Sequence, residues 1–188
     1  MMKRDECLKV LAGHRTNEVV VAVYTAAQEW IQICPSDLNY TLTGAMGQGS
    51  SHALGIALGR PDRRVVVLDG DGSLLMNLGS LVTIANAAPE NLVHCVCHNG
   101  NYETNGDVSI PRRGKLSFAS FAREAGYRNI FTFDNLPEWE KSVAGILGEP
   151  GPTFVDLQVE PGNPYKKDLI RLYSVEYRDR FRRALAAA

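Results

Sequence analysis

The sequence predicts an α/β fold, a doubly wound and mostly parallel sheet of about six strands with helices on both faces. Short, nearly continuous apolar runs alternate with helix-like stretches along the chain, as they do when helices cover both faces of a parallel sheet. No internal repeat or linker divides the 188 residues, of which 45% are hydrophobic and 22% charged. Length and composition therefore favour one domain, residues 1–188, with one sizeable core.

β-branched and other apolar runs mark the strands. The four clearest runs are residues 18–23 (EVVVAV), 64–68 (RVVVL), 92–97 (LVHCVC) and 153–159 (TFVDLQV), and the two shorter ones are 40–42 and 129–133. The predicted helices are residues 50–58, 74–87, 118–125, 137–147 and 175–186. Ligands of such sheets bind beyond the carboxyl ends of the strands, so the residues directly after each strand are the functional candidates.

The charge balance argues against several classes of partner. The chain carries 20 basic and 21 acidic residues, a formal net charge of −1, so it has no broad basic field to attract nucleic acid or an anionic membrane. No apolar run reaches the roughly 18 to 20 residues that span a bilayer, and the first residues do not resemble a signal peptide. Four cysteines are too few for a disulfide scaffold. The sequence therefore predicts a cytoplasmic protein with no nucleic-acid or membrane partner.

Two polar motifs follow strands that we expect to be neighbours. Gly70-Asp71-Gly72-Ser73 comes after the 64–68 strand, and Asn99 follows the 92–97 strand, with 26 residues between Gly72 and Asn99. That interval accommodates one helix, a loop and a returning parallel strand. If the strands are adjacent, the Asp71 carboxylate and the Asn99 carbonyl can share one hard cation. Mg²⁺, which prefers oxygen ligands and phosphate, is the natural candidate.

This pair of motifs resembles the cofactor signature of thiamine-diphosphate enzymes, whose pyrophosphate-binding domain holds the cofactor's diphosphate and Mg²⁺. The resemblance implies metal ligation by the side chains of Asp71 and Asn99 and by the backbone carbonyl of Asn101. It also implies that Gly70, Gly72 and Ser73 contact the diphosphate, and that Tyr102 belongs to the cofactor site. The expected cofactors are therefore thiamine diphosphate and Mg²⁺.

A second match lies upstream, in Gly44-Ala45-Met46-Gly47. This segment resembles the turn that these enzymes place under the aminopyrimidine ring of the cofactor. By that resemblance the Gly44 carbonyl accepts a hydrogen bond from the 4′-amino group, Ala45 belongs to the cofactor-binding turn, and Met46 wedges between the two rings. A bulky apolar wedge is physically reasonable, because the amino nitrogen must be held close to the reacting carbon. Gly44 and Met46 are thus the predicted orienting residues.

Across the chain the resemblance is to the sulfopyruvate and phosphonopyruvate decarboxylases, in particular the separate beta subunit of the former. It implies a thiamine-diphosphate-dependent carboxy-lyase subunit that releases CO₂ and an aldehyde from an anionic 2-oxo acid. These enzymes use an activating glutamate on a pyrimidine-binding domain. A single pyrophosphate-binding domain has no room for it, so we expect that domain on an alpha-type partner subunit, together with self-association of this chain.

Two departures from the pattern keep alternatives open. Relatives usually carry a glycine and a serine or threonine after the first strand, whereas this chain reads Tyr24-Thr25-Ala26-Ala27, and His98 replaces a common asparagine. The alternatives are a carboligase subunit of the acetolactate-synthase kind and a non-catalytic subunit that keeps the fold. Gly47-Gln48-Gly49 also hints at a dinucleotide-binding fold, but His52 occupies the position of its third glycine.

A run of histidines and cysteines and a short basic segment can each be interpreted as structural or as functional. In the run HCVCH at 94–98, strand alternation places the two cysteines on one face and the histidines on the other, which favours a buried strand over a metal site. The basic segment around Arg112 and Arg113 follows the predicted metal ligands. It is either a solvated loop or a contact for an anionic substrate group.

Overall fold

A seven-stranded parallel sheet forms the centre of the structure, a computed structural model that describes residues 1–187. The strands are β1 (Met2–Lys3), β2 (Val19–Val23), β3 (Asn39–Leu42), β4 (Val65–Gly70), β5 (Leu92–His98), β6 (Asn101–Tyr102), β7 (Val108–Ser109), β8 (Asn129–Phe133) and β9 (Thr153–Glu160). The sheet order is β1-β9-β5-β4-β2-β3, with β8 also paired to β9. β6 and β7 form a separate antiparallel ribbon directly after β5.

Helices cover both faces of the sheet, as the sequence predicts. They are α1 (Arg4–His14), α2 (Tyr24–Ile33), α3 (Gly49–Gly59), α4 (Asp71–Leu75), α5 (Gly79–Ala87), α6 (Phe118–Ala125), α7 (Leu136–Gly148), α8 (Leu169–Tyr173) and α9 (Val175–Ala186). Leu8, Trp30 and Trp139 of α1, α2 and α7 pack on one face. Leu81 of α5 and Phe118 of α6 pack on the other.

Burial on both sides explains the continuous apolar strands. In β2, Val20 and Ala22 face the core that contains Trp30, whereas Val19 and Val21 face the opposite core. All five residues of the strand are buried. A strand with one wet face would alternate apolar and polar residues, but here each face requires apolar side chains.

All six predicted strands are present, and β1 adds a two-residue edge strand. The predicted helix at 74–87 is wrong in one respect, because it is broken into α4 and α5. At the break Asn77 donates a 2.8 Å hydrogen bond from Nδ2 to the Gly47 carbonyl, which ties this segment to the loop before α3. Among the described residues, no helix has both the length and the apolar character needed to cross a bilayer.

Strand order creates a crevice at the carboxyl ends of β2 and β4. From β2 the chain moves to β3 at one edge, whereas β4 lies on the other side of β2 and leads on to β5. Neighbouring connections at such a switch point cover opposite faces of the sheet, which leaves a gap above the strand ends. The motif at Gly70 to Ser73 lies at this gap.

Candidate cofactor site

A narrow cleft opens above the ends of β2, β4 and β5. Its wall contains most of the predicted site residues, namely Met46, Gly70, Asp71, Gly72, Ser73, Asn99, Asn101 and Tyr102. Gly44 and Ala45 do not line this cleft, although they belong to the same turn as Met46. The structure thus brings together segments that are up to 56 positions apart in the sequence, from Met46 to Tyr102.

Asp71 is the buried centre of the cleft, with 2% of its surface exposed. Its Oδ1 accepts the backbone N–H of Gly72 at 2.8 Å, and its Oδ2 accepts that of Gly100 at 2.6 Å. The second bond joins the loop after β5 to the loop after β4, with Gly100 at φ +78°. Burial raises the pKa of the Asp71 carboxyl, and the two N–H donors oppose that shift. A cation bound beside Asp71 would compensate its buried charge.

The asparagines after β5 offer oxygen atoms at the same place. Asn99 Oδ1 accepts the backbone N–H of Asn101 at 2.8 Å, which leaves its second lone pair for another partner. Asn101 Oδ1 is buried and has no hydrogen-bond partner among the described residues. This side-chain oxygen is a different atom from the Asn101 backbone carbonyl that the resemblance implies, but it adds a further oxygen beside the Asp71 carboxylate and the Asn99 amide oxygen, which are ligands of the kind that Mg²⁺ prefers. The residues present therefore fit the predicted cation.

A hydrogen bond and a packing contact hold the turn at Gly44 to Gly47 and the Tyr102 ring against the motif at Gly70 to Ser73. The backbone N–H of Gly47 donates to Ser73 Oγ at 3.0 Å, which links the turn that carries Met46 to the start of α4. A Cβ added at Gly72 would lie 2.5 Å from Tyr102 Cδ1, so the Tyr102 ring packs directly over the glycine. Glycine is required here because a larger side chain would displace that ring.

At the departure from the pattern, Tyr24 has a backbone conformation that favours glycine. Tyr24 has φ +47°, in the region that L residues with side chains rarely adopt and that glycine adopts freely. Tyr24 is the first residue of α2, and it lines the cleft together with Thr25 and Ala26. The first turn of α2 therefore lies at the cleft.

His98 lies between two carboxylates at the end of β5. Its Nδ1 is 3.2 Å from Asp156 Oδ1, and its Nε2 is 4.0 Å from Asp71 Oδ2. Burial has the largest single effect on His98 and lowers its pKa, but the hydrogen bond to Asp156 and the negative charges of Asp156 and Asp71 together outweigh it, so the net shift of the pKa is upward. A protonated His98 lowers the net negative charge around Asp71.

The positive charge on the wall of the cleft is already paired with carboxylates. Of the described residues that line it, Arg4 is the only lysine or arginine, and it is bound to the carboxylates of Glu29 and Glu103. A diphosphate that enters this cleft therefore finds helix amides but no free cationic side chain. A metal ion at Asp71 would supply the charge compensation that these side chains do not supply.

Sequence reasoning missed Arg4, Glu29 and Glu103. Arg4 precedes the first recognisable strand by 14 residues, and Glu29 lies inside a helix that the sequence analysis did not predict. Glu103 follows Tyr102 directly and carried no motif of its own. The only available signal was its position in the loop after the predicted metal ligands.

HCVCH at 94–98 forms the buried strand β5. Cys95 and Cys97 face the core that contains Trp30, whereas His94 packs edge-on against Phe154 on the other face. The prediction that the two residue types occupy opposite faces is confirmed.

Comparison with known proteins agrees with this geometry. Residues 20–157 match the family described as thiamine pyrophosphate enzyme, C-terminal TPP binding domain. The chain belongs to this family. The predicted family and fold are thereby confirmed, and thiamine diphosphate is the cofactor that this TPP-binding domain is built to hold.

Some similar proteins are much longer than this chain, and others have about the same length. A phosphonopyruvate decarboxylase from Streptomyces hygroscopicus is 37% identical over 77% of this chain, which spans only 36% of that relative. A sulfopyruvate decarboxylase subunit beta from Methanothermobacter thermautotrophicus is 35% identical over 87% of the chain and 85% of the relative. Among solved structures, benzoylformate decarboxylase from Polynucleobacter necessarius superposes with a TM-score of 0.68 at 22% identity, over 87% of this chain and 34% of that one. This last likeness concerns the fold.

Proposed function

We propose that this TPP-binding domain is the cofactor-holding subunit of a thiamine-diphosphate- and Mg²⁺-dependent, non-oxidative 2-oxo acid decarboxylase. The observation that carries the proposal is the meeting of Asp71 and Asn99 in one cleft, with Met46 on its wall. The names of the relatives, phosphonopyruvate and sulfopyruvate decarboxylases, support the reaction type and an anionic 2-oxo acid as substrate.

In the proposed site the side chains of Asp71 and Asn99 and the backbone carbonyl of Asn101 would hold Mg²⁺, which would offset the negative charge of the diphosphate. Gly70, Gly72 and Ser73 approach the diphosphate through their backbone, since a short helix begins at Asp71. When bound, thiamine diphosphate supplies an electron sink that accepts the bonding electrons of the departing carboxylate. The net reaction converts the 2-oxo acid and a proton into an aldehyde and CO₂.

The turn at Gly44 to Met46 would orient the other end of the cofactor. Gly44 has φ +91° and is exposed, so its carbonyl is available to a ligand amino group. Met46 is half-buried on the cleft wall and projects an apolar side chain beside the polar motif. Together these residues would bend the cofactor, which places its reactive groups close to each other.

The remaining parts of the enzyme belong to a partner. The relative that this chain matches over 85% of its length is named a subunit beta, which supports an alpha-type partner for this chain. We place the pyrimidine-binding domain and its activating glutamate on that partner, with the active site at the interface. Self-association of this chain would complete the assembly.

Co-expression with the partner and product analysis tests the proposal. The complex should convert sulfopyruvate or phosphonopyruvate to the corresponding aldehyde and one equivalent of CO₂, and Asp71→Ala should abolish this conversion. A longer acyloin acid as the product would instead establish carboligation. A complex that binds thiamine diphosphate but turns over neither substrate, nor any other 2-oxo acid, would refute the proposal in favour of a non-catalytic subunit.

A further inference from the structure

A buried arginine network lies directly behind the predicted metal ligands. Arg4 is 3% exposed, although arginine is rarely buried without partners. Its Nε and Nη2 donate to Glu29 at 2.9 and 2.8 Å. Its Nη1 and Nη2 also donate to Glu103, at 2.5 and 3.1 Å. One guanidinium thus joins α1, α2 and the loop after β5 through two bidentate ion pairs.

The network extends to the side-chain NH₂ group of Asn99. Glu103 Oε2, which accepts from Arg4, also accepts the side-chain N–H of Asn99 Nδ2 at 3.0 Å. An asparagine amide has one oxygen and one NH₂ group, and only the oxygen binds a metal. A carboxylate that holds the NH₂ group therefore fixes which end of the amide is offered to the cation.

Resting on the proposed function, we propose that Glu103, held by Arg4, is a positioning residue that orients the Asn99 oxygen toward Mg²⁺. Arg4 lies outside residues 20–157, which match the family, so the match assigns Arg4 no role. Partners behind a metal ligand of this kind fix its orientation and contribute to metal affinity.

A direct role for Arg4 in binding the diphosphate fits the structure less well. Four hydrogen bonds already commit its guanidinium to two carboxylates, and the trio of Arg4, Glu29 and Glu103 has a net charge of −1. An incoming anion would have to displace one of these bidentate carboxylates. Displacing Glu29, whose side chain is 4% exposed, would leave a buried carboxylate without its partner, and displacing Glu103 would remove its two hydrogen bonds from Arg4. The trio is arranged to hold Glu103 and not to receive an anion.

Glu103 needs to be a carboxylate because donors approach it from two sides. Both Arg4 and Asn99 donate to it, and neither can accept in return at these positions. Glu103→Gln keeps the size of the side chain but turns an NH₂ group toward one of the two donors. This isosteric variant therefore tests the contact with little change in volume, and Glu103 is partly exposed, with 26% of its side chain accessible.

The chain offers a matched control in Glu160. Glu160 pairs with Lys3, the residue before Arg4, and the two side chains are 42% and 49% exposed. Glu160→Gln removes the same charge from a neighbouring ion pair without touching the Arg4 network. An effect that follows charge alone would appear equally in both variants.

The experiment measures Mg²⁺-dependent binding of thiamine diphosphate to the complex of this chain with its partner. Glu103→Gln should raise the Mg²⁺ concentration at half-maximal binding about tenfold or more, whereas Glu160→Gln should leave it within about twofold. At saturating Mg²⁺ the cofactor affinity of Glu103→Gln should return to the wild-type value. That recovery distinguishes ligand positioning from general damage to the site.

A second readout needs no cofactor. In the ¹⁵N-labelled chain, the side-chain NH₂ protons of Asn99 should exchange slowly with solvent in the wild type and in Glu160→Gln, and faster in Glu103→Gln. Arg4→Lys should shift the Mg²⁺ requirement in the same direction, since lysine cannot make two bidentate pairs. An unchanged Mg²⁺ requirement in Arg4→Lys would remove Arg4 from the proposal.

The outcomes distinguish a failure of the positioning role of Glu103 from a failure of the proposed function. Failure of the wild-type complex to bind thiamine diphosphate at any Mg²⁺ concentration would refute both. Normal wild-type binding, with the same Mg²⁺ requirement and the same Asn99 exchange rate in Glu103→Gln, would overturn the positioning role alone.

Discussion

Replacing Gly72 by alanine should disturb the packing of Tyr102 over the motif Gly70 to Ser73. The added Cβ would lie 2.5 Å from Tyr102 Cδ1 and 2.8 Å from Cε1, against 3.4 Å or more for ordinary contact. The ring must therefore move by about 0.9 Å. Overpacking of this kind costs about 1 to 3 kcal/mol, and the better helix propensity of alanine returns up to about 1 kcal/mol. We expect a net loss of about 1 to 2 kcal/mol in the free energy of unfolding.

Gly70→Ala is the matched control in the same motif. An alanine Cβ at Gly70 would meet nothing within 4 Å among the described residues, and the backbone there, φ −108° and ψ 151°, suits alanine. Its free energy of unfolding should change by less than about 0.5 kcal/mol. Urea unfolding of the cofactor-free chain measures both variants, so ligand contacts do not enter the comparison.

A double-mutant cycle with Tyr102→Ala assigns the effect to the ring. Once the ring is removed, Gly72→Ala should cost nothing, so the coupling free energy between the two positions should be about 1 kcal/mol or more. A coupling below about 0.5 kcal/mol, or equal losses in Gly70→Ala and Gly72→Ala, would refute the packing of Tyr102 on Gly72.

Three further variants or measurements probe the site and the core. Asp71→Ala should abolish Mg²⁺-dependent retention of thiamine diphosphate in the assembled complex, measured by equilibrium dialysis, and unchanged retention would rule out its metal role. Met46→Ala should lower kcat by about tenfold or more with a smaller loss of cofactor affinity, because misorientation slows the reaction more than it weakens binding; parallel losses would contradict the orienting role. Of the four thiols, only half-buried Cys34 should react with a disulfide reagent at pH 8 in the folded chain. Burial raises the pKa values of the thiols of Cys7 and Cys95 to about 12 and also raises that of Cys97. Reaction of more than one thiol before urea is added would contradict this packing.

The sequence predicts the sheet well because burial on both faces leaves a clear pattern. The runs at 64–68 and 92–97 became β4 and β5, paired in parallel with Gly70 opposite Cys97. That pairing brings Asp71 to the loop that begins at Asn99, where Asp71 Oδ2 accepts the backbone N–H of Gly100, and both residues line the cleft. Local composition was sufficient to locate these two strands. Once the strands are known to be adjacent and parallel, the residues that follow them must lie at the same edge of the sheet.

Features that depend on tertiary contacts were not predictable. At the break between α4 and α5 the Asn77 side chain donates to the Gly47 carbonyl, a contact between distant segments that no local pattern indicates. α2 begins at Tyr24 with φ +47° and has no side-chain cap, so the usual helix-start signal is absent. Arg4 is an ordinary charged residue in the sequence and becomes part of the site only when α1 and α2 pack against each other.

The most direct test is the amount of thiamine diphosphate bound per copy of this chain in the complex with its partner, with Mg²⁺ and after chelation. Because Arg4 is already paired, the cleft offers no free cationic side chain among the described residues. We therefore predict one cofactor per chain with Mg²⁺ and loss of the cofactor after chelation and dialysis. Stoichiometric cofactor that survives chelation, or no cofactor when Mg²⁺ is supplied, would contradict a metal-bridged diphosphate site at Asp71 and Asn99.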